Sequence, residues 1–313
     1  NSLTGDIILL SWLLPLLLTI ALFEVKFLRY IAYILPIMVL FGSRWLIVSL
    51  SWAQGKSRII QRGISGVIIS SVIATVLFGI AFSTSYTQPH PAVQASQWVN
   101  STLPRGTNLV TDNHWDEGFP DLQRYSVSQI PIYETEDVKK IASILKRLEM
   151  AEYLMIYSNR PYGSIARLPA KFPLSSRYYH MLFDGQLGYQ LEKAFSRYPS
   201  LPGVTFTHDP FTRASLDSPD QLPGLAIKGL NINLGYADEN ITNYDRPLVL
   251  IFRNDAHLTS IEMANRMDLE PAIFSTLMER SLSNSLLEQN FQESLLGHSP
   301  TTSPEELLLS PSA

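Results

Sequence analysis

Three stretches near the start of the chain lack the polar–apolar alternation of a water-soluble fold. Ile7–Phe23 carries no charge, Ile31–Trp52 carries only Arg44, and Gly63–Phe82 is uncharged throughout. Apolar runs of about 17–25 residues are long enough to cross a hydrocarbon core of roughly 30 Å as helices. The pattern therefore predicts three membrane spans, over 7–23, 31–52 and 63–82. Pro15 interrupts the first, a kink that neighbouring helices can repair in a bundle. Arg44 at depth is expected to face protein or a water-filled cavity, or to snorkel to the nearer interface.

The pattern changes after residue 83. Pro89 and Pro91 mark a linker over 84–91. Val93, Trp98, Val99 and Leu103 then define one face of a helix over 92–103. Asn108–Thr111 reads as a short buried strand. Val138, Ile141, Leu145 and Leu148 recur at helical spacing within 136–150, and a strand at Tyr153–Tyr157 follows directly. A helix is expected over 175–197, with Gly185 and Gly188 as a candidate break. Residues 199–235 read as loop with scattered short strands, and Leu248–Phe252 as a strand. Thr259 and Glu262 fit a capping box that opens a helix over 261–267. Helix, strand, helix, strand at this spacing predicts an α/β domain over 92–270 with a small, mostly parallel sheet. A helical extension over 271–297 and a Ser/Pro/Thr-rich disordered tail over 298–313 complete the expected organisation.

Composition narrows the partners. The 313 residues carry 24 Lys and Arg against 28 Asp and Glu, a net charge of −4. No basic stripe stands out, which argues against a nucleic-acid partner. The absence of cysteine excludes disulfides and thiolate metal sites. The six histidines form no HExxH pair, so no metal site is expected. No GxGxxG, Walker or Gly-x-Ser-x-Gly motif is present, so no cofactor is evident. The N-terminus lacks the basic region of a signal peptide. Asn1 is not an initiator methionine and the first span starts almost at once, so a fragment of a longer multi-span protein is expected.

Charge also orients the spans. Lys56, Arg58 and Arg62 lie between the second and third, which makes that loop cytoplasmic by the positive-inside rule. The Lys26–Arg29 loop and everything after Ser83 are then expected outside the cytoplasm, attached to a multi-pass segment of the cell membrane.

Three groups of residues suggest chemistry. Lys26, Arg29 and Tyr30 lie where two spans meet water, which suits a lipid phosphate or pyrophosphate. The plain alternative is that they anchor helix ends by snorkelling. His114-Trp115-Asp116-Glu117 follows a predicted strand, the position at which α/β domains place sites. Trp115 would stack on a sugar face and Asp116 accept its hydroxyls; alternatively Trp115 packs on the domain. Arg160, Tyr162 and Arg167 follow the next strand, so in a parallel arrangement both loops share one edge and could hold a glycan or acceptor. Their alternative is a set of ordinary loop salt bridges. Arg177-Tyr178-Tyr179 reads as helix packing.

Several stretches together resemble one family. Phe27-Leu-Arg-Tyr30 followed by Leu35-Pro36 is similar to the Arg-Tyr…Leu-Pro segment of GT-C membrane glycosyltransferases that use polyprenyl-phosphate sugars and are related to protein mannosyltransferases. The later part resembles the domain after the spans in bacterial members, notably the large multi-span proteins of Chloroflexi. The matching stretches are Val93–Trp98, His114–Asp116, Ser158–Arg160 with Tyr162-Gly163, Arg167–Pro169, Arg177–Tyr179, Asn243–Asp245 and Val249–Arg253. The resemblance covers residues 26–253. It implies transfer of a sugar from a polyprenyl-phosphate donor to an extracytoplasmic acceptor. It also implies a catalytic carboxylate in an external loop upstream, which no residue here matches. This chain would then supply lipid-phosphate contacts through Lys26, Arg29 and Tyr30, together with the remaining spans of the full-length protein, and be inactive alone. The alternative is a non-catalytic, membrane-anchored domain that binds a glycan or a protein.

Overall fold

The computed structural model describes residues 2–23, 28–112, 118–217, 222–225, 227, 229–237 and 239–269. Lys26, Trp115 and Asp116 lie outside these residues, as do the expected helical extension and tail.

Helices α1 (Ser2–Leu22), α2 (Leu35–Gln54) and α3 (Arg58–Ser83) are each long and apolar enough to cross a membrane. The second starts later than its apolar run suggests, because a 3-10 helix occupies Leu28–Tyr33 first. Pro36 stands in the first turn of α2, where its missing N–H costs nothing. A tight turn at 55–57 joins α2 to α3, and Ser57, with extended backbone, starts α3. Arg44 is ion-paired with Asp6 near the start of α1. Large side chains such as Ile8, Leu18, Trp45, Val67 and Ile69 stay exposed along the three helices. Acyl chains cover such surface favourably, whereas water does not.

The following domain is an α/β/α sandwich. Its strands are β1 (Asn108–Thr111), β2 (Ser126–Gln129), β3 (Tyr153–Ile156), β4 (Tyr189–Phe195) and, after three short strands, β8 (Val249–Asn254), in the order β2-β1-β3-β8-β4. The pairs β1–β2 and β1–β3 are parallel, whereas β3–β8 and β4–β8 are antiparallel. The sheet is therefore mixed rather than mostly parallel. Its β1, β3 and β8 are the three strands expected from the apolar runs, and they are adjacent. Alternate residues face opposite layers. Leu109, Met155, Val249 and Ile251 pack under α4 (Pro91–Thr102) with its Ala95 and Val99. Val110, Leu154, Ile156, Leu250 and Phe252 pack under α5 (Val138–Met150). Ile141, Ile144, Leu145 and Leu148 of α5 are wholly buried there, each worth about 1.5–3 kcal/mol.

Helices α6 (Arg160–Ile165) and α7 (Pro173–Phe183) lie on the α5 side. The single helix expected over 175–197 is thus α7 followed by β4. Gly185 and Gly188, both at positive φ, make the turn between them. A second sheet, β5 (Ser200–Leu201), β6 (Val204–Thr207) and β7 (Leu230–Asn233), accounts for the expected scattered strands. It packs on the end of α3, where the rings of Phe78 and Phe206 lie 5.5 Å apart edge to face. A short helix α8 (Glu239–Thr242) precedes β8, and α9 (Ser260–Arg266) opens with the expected Thr259–Glu262 capping box.

Candidate functional site at the junction of the sheet and the third apolar helix

The carboxyl ends of β1 and β3 point to one edge of the sheet, and β8 enters from that same edge because it runs antiparallel. Loops at this edge carry the chemistry of many α/β domains. Here the edge faces the end of α3. Arg197, just past β4, donates to the backbone carbonyls of Ser85 and Pro89. Arg246, just before β8, stacks its guanidinium over Phe82, with 4.7 Å to the ring centroid. Helix α3 thus ends against two arginines of the sheet edge.

Around them stand further polar groups. Asp112, at the end of β1, is buried and accepts from the Tyr179 hydroxyl at 3.3 Å. Ser158 and Asn159 follow β3 and are also buried. His90 caps α4, its Nδ1 accepting from the Ala92 N–H at 3.2 Å, and its ring lies 6.2 Å from that of Tyr157. Burial lowers the His90 pKa, and the charge of Arg197 adds to this. Burial likewise lowers that of His208, with help from Arg246, so both imidazoles are neutral at pH 7. Burial holds the Tyr198 phenol up at about 12. The phenol of Tyr86 is also raised, by burial and then by its hydrogen bond to Asp245.

The residues expected from sequence divide into groups. Arg160 reaches this edge: its Nε lies 3.8 Å from Glu239 and its Nη2 donates to the Tyr244 hydroxyl at 3.4 Å. The 3-10 helix that carries Arg29 and Tyr30 packs against α8, close to that cluster. Tyr30 sets its ring 5.3 Å from Phe23, edge to face. Tyr162, expected at a ligand surface, is instead fully buried in α6, stacked 5.9 Å from Phe211 and close to Phe183 and Tyr179. A loop position became a helix because Pro161 occupies its first turn, and the helix turns the ring inward. Arg167 is exposed, beyond the end of that helix.

Sequence reasoning missed Arg197 and Arg246. Arg197 fell at the end of an expected helix, and nothing local marks either cation as buried. Among the described residues no group of three or more His, Asp or Glu side chains is arranged to hold a metal ion. Comparison with protein-family models, with curated proteins and with solved structures gives no match.

Proposed function

We propose that this chain is a membrane-anchored domain that holds a lipid-linked phosphate at the edge of its sheet, as the C-terminal part of a polyprenyl-phosphate-sugar glycosyltransferase. The observation that carries this reading is the docking of the 3-10 helix Leu28–Tyr33 against α8, beside Arg160 and Tyr244. The segment between two apolar helices and the sheet edge at which α/β domains commonly place sites thereby share one side of the molecule. In the reaction an acceptor hydroxyl attacks the anomeric carbon, the bond from that carbon to the phosphate oxygen breaks, and a base takes the hydroxyl proton. The leaving phosphate carries the charge away and is stabilised by cations. Arg29, supported by Lys26 and Tyr30, fills that last role. The base belongs to a segment outside this chain, as the resemblance implies, and the domain works on the extracytoplasmic face.

Arg presents a planar fork to phosphate oxygens, whereas Lys presents a point charge. In the full-length protein in lipid nanodiscs, Arg29→Ala is expected to weaken donor binding by about 10- to 100-fold, the worth of a charge-assisted hydrogen bond. Arg29→Lys should fall between. Helix anchoring alone predicts a silent Arg29→Lys, because both side chains snorkel. Donor affinity within about twofold of wild type for Arg29→Ala, with normal insertion, would leave the non-catalytic binding domain as the better reading.

A further inference from the structure

Arg246 is only 3 % exposed and Arg197 only 8 %. Nη2 of Arg246 faces Nε2 of His208 at 3.4 Å. Its Nε and Nη1 meet no hydrogen-bond partner among the described residues, and neither does Nε of Arg197. Both side chains line a cavity of about 20 Å³, together with Asn159, Tyr198, His208 and Thr242. That space admits one water-sized group. Burial disfavours both cations, and the charge of Asp245 offsets this only in part at Arg246. The Asp245 carboxylate is itself engaged by the Tyr86 hydroxyl. Buried cations with open N–H donors need an acceptor, and an anion supplies both the acceptor and the missing counter-charge.

Next to the cavity opens a groove of about 570 Å³, which shares Ser196, Arg197 and Tyr198 with it. Its other wall includes Thr84 and Ser85, the residues that follow α3. The Ser85 hydroxyl is buried and has no partner among the described residues. The groove therefore lies where the third apolar helix ends, at the depth of lipid headgroups. We propose that Arg246 and Arg197 form a phosphate site, in which one phosphate oxygen enters the cavity and the rest of the ester lies in the groove. A tetrahedral phosphate suits this shape, since it can offer one oxygen to the guanidiniums and turn another to the Ser85 hydroxyl. The site is separate from the role assigned to Arg29 and does not depend on it.

The test uses the full chain, delipidated in an uncharged maltoside detergent. Thermal unfolding of the α/β domain is followed with inorganic phosphate, with short-chain phosphatidate, and with chloride at matched ionic strength. At about 100 times its dissociation constant, a ligand of the folded state raises Tm by roughly 5–10 °C in a domain of this size. Phosphate or phosphatidate should give this rise, chloride should not, and Arg246→Gln and Arg197→Gln should each abolish it. Arg29→Ala should leave it intact. A rise with inorganic phosphate identifies a site for free phosphate esters; a rise with phosphatidate alone identifies a headgroup site. No rise with either, or an equal rise with chloride, overturns the proposal using the wild-type chain alone. Full retention of the rise in both glutamine variants overturns the assignment to these residues.

Discussion

Glu136 gathers donors from two helices. It accepts from the backbone N–H groups of Leu174 and Ser175 at 2.8 Å each, from the Ser175 hydroxyl at 2.6 Å and from Lys140 at 2.7 Å. It thereby caps the start of α7 and neutralises a lysine whose side chain is 1 % exposed. Burial alone would raise its pKa, but the hydrogen bonds from Lys140 and Ser175 outweigh this and hold it below the ordinary range. A carboxylate with a depressed folded-state pKa stabilises the fold at neutral pH, and that contribution disappears as pH falls through the folded value. Glu136→Gln leaves Lys140 buried without its counter-charge and is expected to cost about 3 kcal/mol in denaturant unfolding at pH 7. Its loss of stability on acidification should also be shallower than in wild type. Lys140→Met should cost less, because Glu136 keeps its donors from α7. Equal costs for the two variants would mean that the capping role is wrong. The sequence shows Glu136 and Lys140 at i, i+4 spacing but not the α7 amides that complete the cluster. The same limit hid Arg197 and Arg246, since burial of a cation is decided by segments distant in sequence. Tyr162 failed in the opposite direction: a tyrosine after a strand reads as surface until the turn of α6 is known.

Elements with a strong apolar period were legible, and those held by long-range pairing were not. The stripe of α5 and the apolar runs of β1, β3 and β8 were found, as was the Thr259–Glu262 box. The edge strand β2 reads Ser-Val-Ser-Gln and is mostly exposed, so no apolar signal marks it. Strand β4 includes Gln190, Leu191, Glu192, Lys193 and Ala194, all good helix formers. Its strand conformation comes from β8, with which it pairs over its whole length through a register shift between Leu191 and Lys193. What ends α7 is the backbone at Gly185 and Gly188, with φ of 72° and 81°. At Gly188 an added Cβ would also lie 2.8 Å from the Ala256 Cβ. Gly203 shares the positive φ, at 79°, but has open space around it. Gly188→Ala is therefore expected to destabilise by roughly 2–3 kcal/mol and Gly203→Ala by about 1 kcal/mol. Thermal melts of the two variants separate crowding from backbone strain, and a larger loss for Gly203→Ala would contradict this account.

Across the whole molecule, the loop at 28–33 and the α/β domain lie at one end of the apolar helices and the turn at 55–57 at the other. That sidedness makes orientation a single yes-or-no question, and with Lys56, Arg58 and Arg62 at the turn the positive-inside rule predicts a cytoplasmic turn. The chain has no cysteine of its own. An impermeant thiol reagent added to intact cells should label Ser126→Cys and spare Ser57→Cys; the reverse pattern would invert the topology. The three long apolar helices were the most legible part of the chain, because their signal is length and apolarity alone. The meeting of α3 with the sheet edge was not legible, since it depends on Phe82 and Arg246 finding each other across 164 positions of sequence. Helix α3 has 26 residues and measures about 39 Å, of which the uncharged stretch Gly63–Phe82 makes up about 30 Å, close to the thickness of a hydrocarbon core. An apolar stretch of that length tilts when the bilayer around it thins. Because Phe82 in its last turn packs against the Arg246 guanidinium, such tilting would shift one wall of the cavity that Arg246 lines. Occupancy of the proposed phosphate site would then respond to bilayer thickness as well as to ligand concentration.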